Sequence, residues 1–158
     1  MRAIAARTRL SRARREFDSP RDVWLIARML GWACVLRVLK HQVPLPRLVR
    51  LARWNGPVRS LSIDQQEKIV TLARWACRPM QWLRGGNCLE RGLVTYRYLT
   101  ASNANPTLMV GVARGENESD MVRGHAWVTV GGRAIDETEE SLLDFQCAVA
   151  FRADGTQV

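Results

Sequence analysis

The chain has 158 residues, 47% of them hydrophobic, and a formal net charge of +9. That length is enough to bury a sizeable core, and the composition is globular, which excludes a disordered chain. The charge is uneven: residues 1–60 hold 14 Lys and Arg against 3 Asp and Glu, while residues 61–158 hold 10 against 12.

Residues 1–18 form an arginine-rich arm, with Arg2, Arg7, Arg9, Arg12, Arg14 and Arg15. It reads as a solvated tail, or as a contact for nucleic acid or an acidic partner peptide. Ser19-Pro20 is a helix start, Ser as N-cap and Pro at the first helical position. The helix runs to about Lys40 and is apolar on most sides. It is therefore expected to be wedged between other elements or to meet a partner. Its run from Val23 to Leu39 is broken by Arg28 and Arg37, too short and too charged to cross a membrane. The long basic start has no small-residue cleavage site after the apolar run, so no signal peptide is expected.

Pro44 and Pro46 close that helix, and a short one follows from Leu45 to Trp54. Asn55-Gly56-Pro57 is a turn. A third helix begins at Ser62, where Gln65 completes a capping box, and Pro79 bends or ends it. The next helix, to about Leu99, starts at Cys88. Asn87 is placed to cap it, with Glu90 completing an Asn-x-x-Glu box, and Gly85-Gly86 permit a tight approach. Beyond Pro106 the pattern changes to strands: 107–114, then 124–130 after a polar loop at 115–123. A Gly131-Gly132 hairpin turn leads to a strand over 133–137. Thr138 caps a short helical turn through Asp144, and a fourth strand covers 147–152. Helices first and an antiparallel sheet second predict an α+β fold.

The four cysteines, Cys34, Cys77, Cys88 and Cys147, have no CxxC pair and no metal-ligand spacing. Cys34, Cys77 and Cys147 sit in apolar runs and read as core thiols in a reducing cytoplasm. Cys88 differs. At a helix N-terminus it meets the positive end of the helix dipole and unpaired N–H groups, which favour the thiolate. The alternative is a buried structural thiol. His125 opens the strand HAWVTV. If Gly131-Gly132 is a two-residue turn, Val130 pairs with Arg133 and Asp136 lies opposite Trp127. His125 and Asp136 are then diagonal neighbours on one face, roughly 7–8 Å apart, while a one-residue bulge would break that parity. A thiol at a helix start, a His on the adjoining sheet and a carboxylate to orient it are the parts of a papain-type nucleophilic site. The oxyanion would be met by the Cys88 backbone N–H and one further donor from Gln81, Trp82 or Asn87.

The stretches CLERGLVTYRYL, LMVGVARGE and GHAWVTVGGRAIDE resemble the transglutaminase-like leader peptidases of lasso-peptide biosynthesis, the B proteins. The likeness extends more loosely over DVWLIARML and PLPRLVRLARW, about residues 20 to 140. It implies a papain/transglutaminase-like core with the Cys helix packed on a small antiparallel sheet. On matching positions it makes Cys88 the nucleophile, His125 the base and Asp136 the orienting acid. Gly124 stands where the family has Ala, a mild departure. Some members carry a winged-helix-like leader-recognition domain; residues 1–60 show no run of short strands, so this chain resembles the stand-alone form. The resemblance implies removal of the leader from a precursor peptide, with a separate small leader-recognition protein and an ATP-dependent, asparagine-synthetase-like cyclase as partners. It implies no metal, no bound cofactor, no nucleic acid and a cytoplasmic setting. One domain is expected over 19–158, with a helical part at 19–82 and a catalytic core at 83–152. Two other readings stay open: a different amidase or acyltransferase on the same scaffold, and a non-enzymatic nucleic-acid binder using the basic N-terminal part. Trp24 and Trp32 on the first helix are also candidates for a docking surface for the recognition protein or the cyclase.

Overall fold

The computed structural model describes residues 19–82, 87–113 and 122–158. The predicted basic arm, the Gly85-Gly86 approach to Cys88 and most of the predicted 115–123 loop lie outside the described residues. The elements are α1 (Pro20–Leu39), α2 (Leu45–Ala52), α3 (Ile63–Cys77), a 3-10 segment (Arg78–Trp82), α4 (Cys88–Thr100), β1 (Thr107–Ala113), β2 (Arg123–Val130), β3 (Arg133–Ala134), α5 (Glu139–Leu142) and β4 (Gln146–Phe151). The fold is α+β: helices followed by a four-stranded antiparallel sheet in the order β3-β2-β1-β4.

Local chemistry sets most of the boundaries. Ser19 caps α1, its hydroxyl accepting from Arg21 N–H, with Pro at the start of the helix. Ser62 and Gln65 form the reciprocal capping box of α3. Pro79 cannot donate to a continuing α-helix, and the chain tightens into the 3-10 segment there. Thr138 caps α5 through Ser141 N–H.

Helix α4 is the centre of the molecule. Glu90, Leu93, Val94, Thr95, Tyr96, Tyr98 and Leu99 are all buried, so it is covered nearly all round. It packs on α1 and α3 on one side and on β1 and β2 on the other. Gly92 lets it approach the sheet, because a Cβ there would stand 3.1 Å from Leu108 Cδ1 and 3.6 Å from Ala126 O. Leu36, Leu48, Leu72, Leu108, Val128 and Phe151 fill the core around it. Glu90 is only 1% exposed and receives Arg37 at 3.0 Å and Lys40 at 2.9 Å, which fastens α1 to α4.

Three expectations change. Helix α1 is not wedged on all sides but buries one face, with Met29, Ala33 and Leu36 inside and Val23, Trp24, Val35 and Val38 left exposed, which leaves the partner alternative open. Cys34 and Cys147 are exposed, and only Cys77 is a core thiol. The third strand stops at Ala134 instead of reaching 137. The hairpin begins in the expected register, Val130 with Arg133 and Thr129 with Ala134, and Ile135 N–H still donates to Val128 O at 3.2 Å. Beyond Ile135 the chain bends, because Arg74 and Arg91 take Asp136. Among the described residues no helix is long and apolar enough to cross a membrane.

Candidate active site

Cys88 opens α4, half-buried, with Sγ 4.0 Å from Gly124 O at the start of β2. The next residue of β2 is His125, close enough that the thiol and the imidazole shift each other's titration. His125 Nε2 stands 3.1 Å from Glu137 Oε1. With Nε2 turned to the carboxylate, Nδ1 is the ring nitrogen left for the thiol. The ring is also packed, against Trp127 at 6.0 Å and Phe145 at 5.0 Å between centroids. Trp127 can lie flat beside it because β1 has a glycine opposite: a Cβ on Gly111 would come within 2.9 Å of the Trp127 ring.

The thiol and the imidazole perturb each other. Burial pushes the Cys88 thiol up, but the hydrogen bond to His125 and the backbone N–H groups of Ala126 and Leu89 outweigh it, so the thiol falls below its usual range. His125 moves the other way. The Cys88 hydrogen bond raises it, burial opposes, and the negative charge of Glu137 adds to the rise. Both shifts favour a thiolate–imidazolium pair, the reactive form of such a site. Cys77, eleven residues earlier on α3, shows the contrast: burial pushes it to about 12, so it stays a neutral thiol.

Of the three residues singled out from the sequence, Cys88 and His125 come together. Asp136 does not join them. Arg74 Nε donates to Asp136 Oδ1 at 2.8 Å, and Arg91 Nε stands 3.2 Å from Asp136 Oδ2. The carboxylate on His125 belongs to the neighbouring Glu137. Strand parity puts 136 and 137 on opposite faces, and the bend after Ile135 exchanges them. Arg91 joins the two acids, its Nη2 donating to Glu137 Oε1. Arg91 stands three residues after Cys88 and so shares its helix face, which is a signal present in the sequence. Arg74 has no such local signature.

Asn87 occupies the N-cap position but makes no side-chain cap; its Nδ2 donates instead to Cys77 O at 2.8 Å. Glu90 is likewise committed to Arg37 and Lys40 and does not complete a capping box. The N–H groups of the first turn of α4 are therefore not taken by that box. Of the other candidate oxyanion donors, Trp82 is 90% exposed, and Gln81 lines a cavity of about 300 Å³ with Thr71, Arg74, Trp75 and Arg78. Among the described residues no cluster of three His, Cys, Asp or Glu is placed to hold a metal ion.

A cysteine at a helix start with a histidine on the adjoining antiparallel sheet is an arrangement of the kind that can carry acyl transfer through a thioester. Comparison with known proteins agrees at the level of the family: the model of the transglutaminase-like superfamily matches residues 23–150. No curated protein and no solved structure matches the chain. The family match covers most of the chain and spans Cys88, His125, Asp136 and Glu137 alike: the protein belongs to the transglutaminase-like superfamily.

Proposed function

We propose that the protein is a cysteine peptidase that removes the leader from a ribosomally made lasso-peptide precursor. The observation that carries the chemistry is the placing of Cys88 at the N-terminus of α4 beside Gly124, the residue before His125, with Glu137 3.1 Å from the His125 ring. The substrate class rests on the likeness of the stretches around Cys88, Gly111 and His125 to the lasso-peptide leader peptidases. In this reading the protein works in the cytoplasm, receives the precursor with a separate small leader-recognition protein, and passes the core peptide to an ATP-dependent cyclase. It uses no metal or bound cofactor.

The Cys88 thiolate adds to the carbonyl carbon at the leader–core junction, and the carbonyl oxygen takes up the negative charge. The Cys88 backbone N–H is the first donor to that oxygen, with Gln81 and Trp82 as the candidates for the second. Asn87 is the poorer candidate, since its side chain already serves Cys77 O. The His125 imidazolium then gives its proton to the leaving amine, which departs as the free N-terminus of the core peptide. The acyl group stays on Cys88 as a thioester. Water, deprotonated by the now neutral His125, attacks that thioester, and the leader leaves as a carboxylate. Glu137 takes the orienting role expected of Asp136: it holds the ring and offsets the imidazolium charge. Asp136 acts one step back, fixing Arg91, which in turn fixes Glu137.

The test is cleavage of a leader-bearing precursor by the purified protein together with its recognition partner, followed by mass spectrometry. Two products split at the leader–core junction, lost with Cys88→Ala, are expected. An intact precursor with turnover of small amides or acyl donors would instead point to the amidase or acyltransferase reading.

A further inference from the structure

Helix α3 and the β2–β3 hairpin enclose a groove of about 610 Å³, with Val70 and Thr71 on one wall and Val130, Ala134 and Ile135 on the other. The cavity of about 300 Å³ beside Gln81 adjoins it along α3, with Thr71 and Arg74 lining both, and the two together are called the trough. The chain direction shows where the trough leads. Both α3 and the segment after β3 run toward the Cys88 end of α4: Arg74 meets Asp136 there, and Cys77 O accepts from Asn87. From Ile63 to Trp75 a helix advances by roughly 18 Å, the reach of about five or six extended residues.

Among the described residues β3 pairs with β2 alone, so the β3 wall of this trough is a sheet edge. Arg133 pairs with Val130, and Ile135 N–H donates to Val128 O. Alternation along an antiparallel strand then turns the N–H and C=O of the residue between them, Ala134, to the open side. An open edge with an apolar wall opposite is a template for one more strand.

We propose that this trough seats the substrate: an extended peptide segment beside the scissile bond adds to the β3 edge at Ala134 and lowers an apolar side chain between Val70, Val130 and Ile135. This rests on the reading that the substrate is a peptide. Main-chain donors and acceptors at the edge require an extended chain, and the apolar walls select alternate side chains. At the Gln81 end, Arg78 lies over the Trp75 ring at 4.8 Å and presents a cation to the same segment.

The experiment selects a displayed library of random decapeptides on the full-length Cys88→Ala protein, then measures one labelled winner by fluorescence anisotropy. Peptides with apolar residues at alternate positions are expected. Thr71→Arg fills the trough, and Ala134→Pro removes the outward N–H without touching the ladder to β2. Each should weaken binding about tenfold, and thermal melts report whether the variants fold. Thr71→Arg stands alone if Ala134→Pro does not fold. No enrichment over an unrelated immobilised protein, or an affinity unchanged by Thr71→Arg, overturns the trough; an affinity unchanged by Ala134→Pro overturns strand addition. Cleavage plays no part in this readout. A protein that binds these peptides but cuts no precursor loses the peptidase reading and keeps the trough, and one that cuts without binding here does the reverse.

Discussion

Glu137 Oε1 stands 3.1 Å from His125 Nε2, while Asp136, one residue earlier, is turned away onto Arg74 and Arg91. Two adjacent carboxylates thus have different work, and substitution separates them. Glu137→Gln removes the charge on the imidazole, and kcat/KM should fall on the order of 10²-fold or more. Asp136→Asn loosens Arg91 and should cost about tenfold or less. The reverse ranking, measured on the same substrate, would return the orienting role to Asp136.

The pH dependence has a definite sign. The proposed mechanism needs Cys88 deprotonated and His125 protonated, so the profile should be a bell. Its acid limb follows a thiol held below its usual range, and its alkaline limb a histidine held above 6.5. These values belong to the coupled pair. Glu137→Gln weakens one of the causes that raise His125, so the alkaline limb should move to lower pH while the acid limb moves less. An alkaline limb that stays in place shows that Glu137 does not stabilise the imidazolium.

Thiol reactivity checks the same pair without any substrate. At pH 7 Cys88 should be alkylated by iodoacetamide faster than the exposed Cys34 and Cys147, whereas Cys77 should react only in denaturant. His125→Ala leaves burial as the dominant influence on Cys88, and its rate should drop by about tenfold. Peptide mapping by mass spectrometry assigns each site. Equal rates at Cys34 and Cys88 would mean an ordinary thiol.

Gly111 is a packing requirement behind the site. Its added Cβ would stand 2.9 Å from both the Trp127 ring and Gln146 O, and the latter is backbone of the neighbouring strand. Gly111→Ala should therefore destabilise by about 1–3 kcal/mol, as overpacking does. Because Trp127 stacks on His125, kcat should fall as well. Denaturant unfolding and kinetics on one preparation give both numbers, and an unchanged midpoint would contradict the close approach.

Glu90 gives a purely structural test. Glu90→Gln leaves Arg37 and Lys40 without the carboxylate between them, and the expected loss is about 3 kcal/mol. For a chain of this size that corresponds to a Tm lower by about 10 °C. A melt within about 2 °C of the parent protein would show that the pair contributes little net stability.

What the sequence revealed, it revealed through local chemistry. Ser19-Pro20 and the Ser62/Gln65 box mark helix starts with groups that act within three residues. Gly131-Gly132, both at positive φ, fix the hairpin and its register. What escaped depends on residues far apart in the chain. The bend that brings in Glu137 is set by Arg74, 62 residues before Asp136. Asn87 caps nothing because its best acceptor, Cys77 O, lies on another helix. Cys147 looks apolar in sequence, but β4 is the outer strand of the sheet and leaves it exposed.

The Asn87–Cys77 contact has a consequence for redesign. It pins the residue before the nucleophile to the end of α3, so the two ends of the segment between 77 and 87 are tied together. Its closure cost changes slowly with length, by about 0.6 kcal/mol for each doubling. Residues of that segment other than the candidate donors Gln81 and Trp82 can be exchanged with the thiol still anchored. The wall of the site is thereby a replaceable part, and new specificities can be sought there by loop grafting while the reactive centre stays in place.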